Sequence, residues 1–204
     1  IIYTSDHGEY LGDHHAGAKG FFHEPSAHVP FALRLPQSWD NRQHGLKSDA
    51  LVTLADILPT VVAAAGGDPP DDVDGQNLIA VARGEIEPRQ YLESTSGRPE
   101  APNHLSITDG RWKYMWYPAG GAEQLFDLAT DPQELNNRAG QSEFASEQQR
   151  LQQELIRRQQ ARGSANVQDG ELVARPLPNE SEADRRNRNW PGYHTEFYDV
   201  DVRH

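Results

Sequence analysis

The sequence predicts a mixed α/β chain whose character changes near residue 90. Three observations predict it. Two apolar runs, Ile1–Ser5 and Val29–Leu35, flank a polar loop rich in His and Gly. From Tyr91 the pattern turns to short strand-like segments. Between 142 and 162 the apolar residues Phe144, Leu151, Leu155 and Ile156 share one helical face. These shifts divide the chain into an α/β part at 1–90, a small antiparallel sheet with its helix at 91–163, and a polar tail at 164–204.

Each element has its own reason. Ile1–Ser5 is β-branched and apolar, and reads as a buried strand that begins in mid-element. The polar cluster Asp6-His7-Gly8-Glu9 stands at that strand's carboxyl end, the usual place for a site at a sheet rim. Asp56 is expected to N-cap a helix from Ile57 to about Ala65. Pro59 falls in the first turn, where its missing N–H is harmless, and Gly66-Gly67 permits a left-handed stop. Leu78 to Arg83 allows one or two helical turns. Tyr91–Ser94, His104–Thr108, Arg111–Tyr117 and Gln124–Leu128 are strand-like, with Asp109-Gly110 as a hairpin signal. These four make a small antiparallel sheet, and the helix near 142–162 covers one side of it. Beyond Gly163 the chain is polar up to the aromatic cluster Trp190, Tyr193, Phe197 and Tyr198.

Composition excludes several functions. The 204 residues carry 19 Lys+Arg against 31 Asp+Glu, a formal charge of −12, which argues against a phosphate-backbone binder. Without Cys there are no disulfides, thiolate metal sites or Cys nucleophiles. No apolar run approaches the roughly 20 residues of a membrane helix. Nucleic acid and membrane are therefore not expected partners. Self-association and cellular location stay open.

The chemistry concentrates early. Asp6 and His7 leave a strand end together, and a carboxylate beside an imidazole can hold a divalent cation. Lys19 lies 13 residues after Asp6, past a loop with Gly12, Gly17 and nearby Gly20 that can fold back without strain. His14, His15, His23 and His28 suit a supporting role around such a centre, or a plain loop role. Glu24 reads as a structural hydrogen-bond acceptor. Trp112, Tyr114, Trp116 and Tyr117 read as packing.

Thr4-Ser5-Asp6-His7-Gly8-Glu9, Leu11-Gly12-Asp13-His14, Lys19, Glu24 and Val29-Pro30-Phe31 follow one another in a pattern that resembles the sulfatases of the alkaline-phosphatase superfamily. The resemblance continues at Asp56-Ile57-Leu58-Pro59-Thr60, Asp74-Gly75-Gln76-Asn77-Leu78 and Thr108-Asp109-Gly110-Arg111-Trp112-Lys113-Tyr114. It ends with Leu125-Phe126-Asp127-Leu128, Asp131-Pro132-Gln133-Glu134 and Asn136-Asn137. It covers about residues 1–140, and lies nearest the branch of arylsulfatases and phosphonate monoester hydrolases. It implies part of an alkaline-phosphatase-like α/β sandwich joined to the small C-terminal sheet. It also implies that Asp6 and His7 are metal ligands, for calcium or manganese, and that Lys19 is a catalytic contact to a sulfate or phosphoryl oxygen.

Sulfatases attack with a formylglycine made from Cys or Ser in a Cys/Ser-x-Pro-x-Arg motif, and this chain has no such motif. It also lacks the Asp pair that opens the family's first strand. The expectation is therefore a C-terminal half, inactive alone, whose partner is the N-terminal half of the same protein. The expected substrate is a small sulfate ester. Two rivals are a phosphonate or phosphate ester hydrolase, and a non-catalytic module that keeps the fold.

Overall fold

The computed structural model describes residues 1–35, 45–96 and 104–176. The basic stretch at 185–189 and the aromatic cluster from Trp190 to Tyr198 lie outside the described residues. Two compact units result, one from 1–6 with 30–92 and the other from 7–29 with 93 onward. Among the described residues no helix is long and apolar enough to cross a membrane.

In the first unit the two apolar runs pair with each other. Strand β1 (Ile2–Thr4) lies antiparallel to β2 (Phe31–Leu33), with Tyr3 opposite Ala32. The buried strand expected at Ile1–Ser5 is not what forms in this unit, since Tyr3 is 67% exposed. The reason is geometric: a two-stranded ribbon has one neighbour per strand, and alternate side chains point away from whatever it packs on.

Helices of this unit are organised by one buried carboxylate. Asp56 was expected to cap the helix α2 (Ile57–Ala64), but it adopts helical angles and caps nothing there. It is instead the acid of a capping box opened by Thr53, whose N–H donates to Asp56 Oδ2 at 2.8 Å. The same carboxylate accepts from Gln76 N at 2.7 Å and from Arg89 Nη1 at 2.7 Å. Arg89 Nη1 also donates to Leu51 O at 3.0 Å. Helix α3 (Leu78–Arg83) starts from an Asn77 cap, and its first N–H reaches Thr60 Oγ1 of α2 at 2.9 Å. Gly75 lets the backbones touch, because a Cβ there would lie 2.1 Å from Ala55 O. The two segments Asp56–Thr60 and Asp74–Leu78 thus lock each other in place.

Asp56 is fully buried and Arg89 nearly so. Removing one partner of a buried pair strands the other charge, at a typical cost of 3–5 kcal/mol. Asp56→Ala is expected to destabilise this unit by about 3–5 kcal/mol, read from urea midpoints at constant m-value.

The second unit is built on a four-stranded sheet in the order β3 (Leu92–Ser96), β4 (His104–Thr108), β5 (Trp112–Tyr117), β6 (Ala122–Asp127). Strands β4, β5 and β6 form an antiparallel meander as expected, with Ile107 opposite Tyr114 and Tyr114 opposite Leu125, and β3 lies beside β4. Asp109 N donates to Trp112 O, so the hairpin tip is Gly110-Arg111, one residue later than the Asp-Gly signal suggests. Asp109 Oδ1 holds the tip by accepting from Arg111 N and Trp112 N.

Strand β5 is covered on both faces. A short 3-10 turn (Ser142–Phe144) leads into helix α4 (Ala145–Ala161). Its Gln152 donates to Tyr114 Oη and Glu123 Oε1, and Phe144 packs on Trp112. Leu105, Ile107, Tyr114, Leu125, Leu151 and Leu155 are wholly buried. Gln159 shares the buried stripe at i+4 from Leu155 and bonds the buried Glu93 carboxylate, a polar lining that periodicity alone did not reveal. On the opposite face Met115 and Phe126 pack with Phe22 from the 7–29 loop. After α4 a small hairpin follows, β7 (Val167–Gln168) and β8 (Glu171–Leu172), turned by Asp169-Gly170. Both turn residues have positive φ, as a tight right-twisted hairpin requires.

Candidate active-site loop

The loop at 7–29 carries two of the three expected site residues, and the structure brings them together. His7 Nδ1 lies 2.7 Å from Gly8 O, and Lys19 Nζ lies 2.5 Å from His7 Nε2. A carbonyl only accepts, so Nδ1 carries the proton and Nε2 presents its lone pair to the ammonium. Asp6 ends the other unit, exposed, with Ser5 Oγ donating to its Oδ1 at 3.4 Å. Among the described residues no group of three or more His, Asp or Glu is arranged to hold a metal ion.

The loop is held in an uncommon backbone. Among the described residues, four of the six non-glycine residues with positive φ are Leu11, His14, His15 and Ala18. Each such residue costs on the order of 1 kcal/mol or more, so the surroundings must impose it. They do: Tyr10, almost wholly buried, donates its N–H to Ala18 O at 3.0 Å, and Gly12 N reaches Ala16 O at 2.8 Å. Strain of this kind concentrates where side chains must be presented in fixed directions.

The remaining histidines separate by burial. His23 is buried, bonds Tyr10 Oη at 2.9 Å through Nδ1 and stacks on His14 at 4.1 Å. Burial, helped by His14 and Lys113, pushes its pKa down to about 3, so it is a neutral core residue. Burial also lowers His14. His15 and His28 are exposed, and His28 Nδ1 pairs with Glu24 Oε2.

His23 carries a prediction. Its folded pKa lies below the ordinary 6.5, so the unfolded chain binds the extra proton between those values. Stability is therefore complete above pH 6.5 and is lost as pH falls towards 3. The loss amounts to about 2 kcal/mol by pH 5. His14, His104 and Glu24, all lowered, act in the same direction, whereas Glu134, raised by burial, acts against them. Urea unfolding at pH 7.5 and pH 5 should show this drop, and His23→Gln should remove most of it.

The sequence reading missed an ion cluster beneath the loop. Lys113, on the face of β5 opposite α4, reaches Glu24 Oε1 at 2.5 Å, Phe22 O at 2.9 Å and Glu134 Oε1 at 2.8 Å. The Glu134 contact lacks hydrogen-bond direction among the described residues, so it acts by charge. Burial would raise the Glu24 carboxyl, but Lys113 and His28 outweigh it and hold it low. The hints in sequence are a lysine set between aromatics in a strand and Glu24, whose reading as a structural hydrogen-bond acceptor agrees with the cluster.

With this geometry in place, comparison with known proteins is decisive. Residues 12–161 match the family described as N-sulphoglucosamine sulphohydrolase, C-terminal. The chain belongs to this sulfatase C-terminal family. It is 31% identical over 174 residues to an arylsulfatase of Clostridium perfringens, covering 85% of this chain and 36% of that protein. It is 34% identical over 166 residues to arylsulfatase K of Rattus norvegicus, covering 76% and 28%. Among solved structures, the phosphonate monoester hydrolase of Agrobacterium radiobacter is similar with a TM-score of 0.67 and 29% identity, covering 86% of this chain and 38% of that one. A protein solved with its substrate D-glucosamine-2-N,6-O-disulfate is similar with a TM-score of 0.64 and 26% identity, covering 78% and 34%. The chain spans about a third of the length of the relatives it matches. Its mixed α/β fold is that of sulfatase and alkaline-phosphatase-like neighbours.

Proposed function

We propose that this chain is the C-terminal portion of a metal-dependent sulfuric ester hydrolase, to which it contributes metal ligands and an anion-binding lysine. The observation that carries the reading is the meeting of His7 Nε2 with Lys19 Nζ, in a loop that enters the family match at residue 12. The donor set fits a divalent cation. His7 already turns a lone pair towards a positive charge, and Asp6 adds an adjacent carboxylate. Calcium or manganese suits one imidazole beside carboxylates. When bound, the ion would supply Lewis-acid polarisation of the ester and lower the pKa of the nucleophile. The formylglycine nucleophile is expected in the N-terminal half of the same protein, which is the partner this chain needs.

The chain's own residues have defined tasks. The Gly8 carbonyl fixes the His7 tautomer, keeping Nε2 as a donor atom without a proton to remove. Lys19 places a compact cation next to His7; with a metal ion on Nε2 the ammonium would move onto a non-bridging sulfate oxygen, where it meets the redistributing negative charge. The substrate proposed is a small anionic sulfate ester, with a sulfated sugar as one instance suggested by the structural relative.

A second reading, hydrolysis of a phosphonate or phosphate ester, is favoured by the likeness to the phosphonate monoester hydrolase. Both ester types are tetrahedral anions that the same ligands can hold. The intact protein should be assayed with 4-nitrophenyl sulfate and a phenyl phosphonate monoester, before and after chelation. The expected result is sulfate ester turnover that disappears with chelator and returns with calcium or manganese. Preference for the phosphonate would select the second reading. No turnover of either by metal-loaded protein would leave a non-catalytic sulfatase-like module.

A further inference from the structure

We infer that helix α1 (Glu24–Ala27), clamped from below by Lys113, is the positioning element that fixes the spacing of His7 and Lys19. The inference rests on the functional reading above, and on contacts that reading does not use. Ser26, buried in the middle of α1, touches both site segments. Its carbonyl accepts from Gly8 N at 2.8 Å, and its Oγ accepts from Gly20 N at 3.4 Å. Pro25 O accepts from Glu9 N at 2.8 Å. The residues after His7 and after Lys19 therefore hang from one residue of one helical turn. The approach is so close that a Cβ on Gly8 would lie 2.0 Å from Pro25 O.

A single turn cannot hold its own position, because its hydrogen bonds are too few to nucleate it. The clamp supplies what is missing. Lys113 Nζ grips the Glu24 carboxylate and the Phe22 carbonyl just ahead of the turn, and Glu134 Oε2 accepts from Glu24 N at 2.5 Å. Lys113 and Glu134 are both buried, and Glu24 is largely so. A purely stabilising role would be served as well by apolar residues of similar size, since desolvating the charges cancels much of their attraction. What charges add is direction. The two hydrogen bonds of the ammonium, to Glu24 and Phe22 O, fix α1 against β5 in one register, and through Ser26 they fix the two site residues with it. Lys113 and Glu134 are thus positioning residues, not groups that touch substrate.

The test separates position from stability. In the intact protein, Lys113→Met combined with Glu24→Gln and Glu134→Gln removes the clamp's charges while keeping its volume. Thermal unfolding should stay near the parent's, while kcat for 4-nitrophenyl sulfate falls tenfold or more and calcium titrated into chelator-stripped protein binds at least tenfold more weakly. Gly8→Ala attacks the same linkage from the other side and should reproduce both losses, which decides the matter if the triple variant does not fold. A folded variant of either kind with the parent's kcat and calcium affinity overturns the inference. His7→Ala and Lys19→Ala serve as references. If His7→Ala weakens calcium binding and Lys19→Ala cuts turnover while the clamp variants do neither, positioning alone is wrong. If the references themselves change nothing, the functional reading fails and the inference falls with it.

Discussion

Replacing Lys19 by Ala in the intact protein should lower turnover of an aryl sulfate by roughly 100- to 1000-fold and leave metal content unchanged. Sulfate and phosphonate esters redistribute negative charge over non-bridging oxygens on the way to the transition state. A fixed cation there is worth about 3–4 kcal/mol, the usual cost of losing one such contact. Lys19 Nζ lies on the His7 Nε2 lone pair, so a metal ion taking that nitrogen would displace the ammonium towards the bound anion. The ammonium binds no metal, which is why occupancy should not change. Lys19→Arg should rescue poorly, because a planar fork does not replace a compact point charge in a shaped site. Turnover at the parent rate in Lys19→Ala, with metal fully bound, would make this an ordinary loop lysine.

Asp6→Ala should abolish metal-dependent hydrolysis altogether. A carboxylate is the strongest oxygen donor this chain offers next to His7, and calcium needs about six donors in all. Losing it leaves a lone imidazole, a poor ligand for a hard cation. The same count predicts that residues 1–204 alone bind calcium weakly, since among the described residues no third donor joins a cluster. Calorimetry on the isolated chain should therefore show no tight stoichiometric binding. Hydrolysis by Asp6→Ala that still responds to added calcium would remove Asp6 from the ligand set.

Elements with a strong local period were legible in the sequence, and those decided by distant partners were not. Strand β4 begins and ends where alternation places it, and α4 begins three residues into the expected stretch because its first turn is 3-10. The helix stop at Gly66 follows from its positive φ. Asp56 was misassigned because a cap rule reads only the first residue of a helix, whereas Thr53 had already opened the turn. Its partners at Gln76 and Arg89 lie 20 and 33 residues away, beyond any local signal. Lys113 was passed over because a charged residue in a strand is ordinarily read as its wet face. Here both faces of β5 are covered, and the charge is matched from the 7–29 loop and from Glu134. Asp169-Gly170 carried the same turn signal as Asp109-Gly110, but its flanking strands are only two residues long and show no alternation. At the site Lys19 reaches His7, but not by the strain-free loop that the glycines suggest, since Leu11, His14, His15 and Ala18 all take positive φ. The α1 turn that sets it was invisible, because four residues have no period to detect.

The central claim is that Asp6 and His7 hold a metal beside a sulfate group gripped by Lys19. It is tested most directly by anomalous diffraction from crystals of the intact protein grown with manganese and sulfate. The account predicts an anomalous peak within bonding distance of an Asp6 carboxylate oxygen and His7 Nε2. It also predicts a sulfate oxygen about 3 Å from Lys19 Nζ, as a charge-assisted hydrogen bond requires. A manganese peak bonded to neither residue, or a sulfate bound beside the metal with Lys19 turned away from it, would contradict the account.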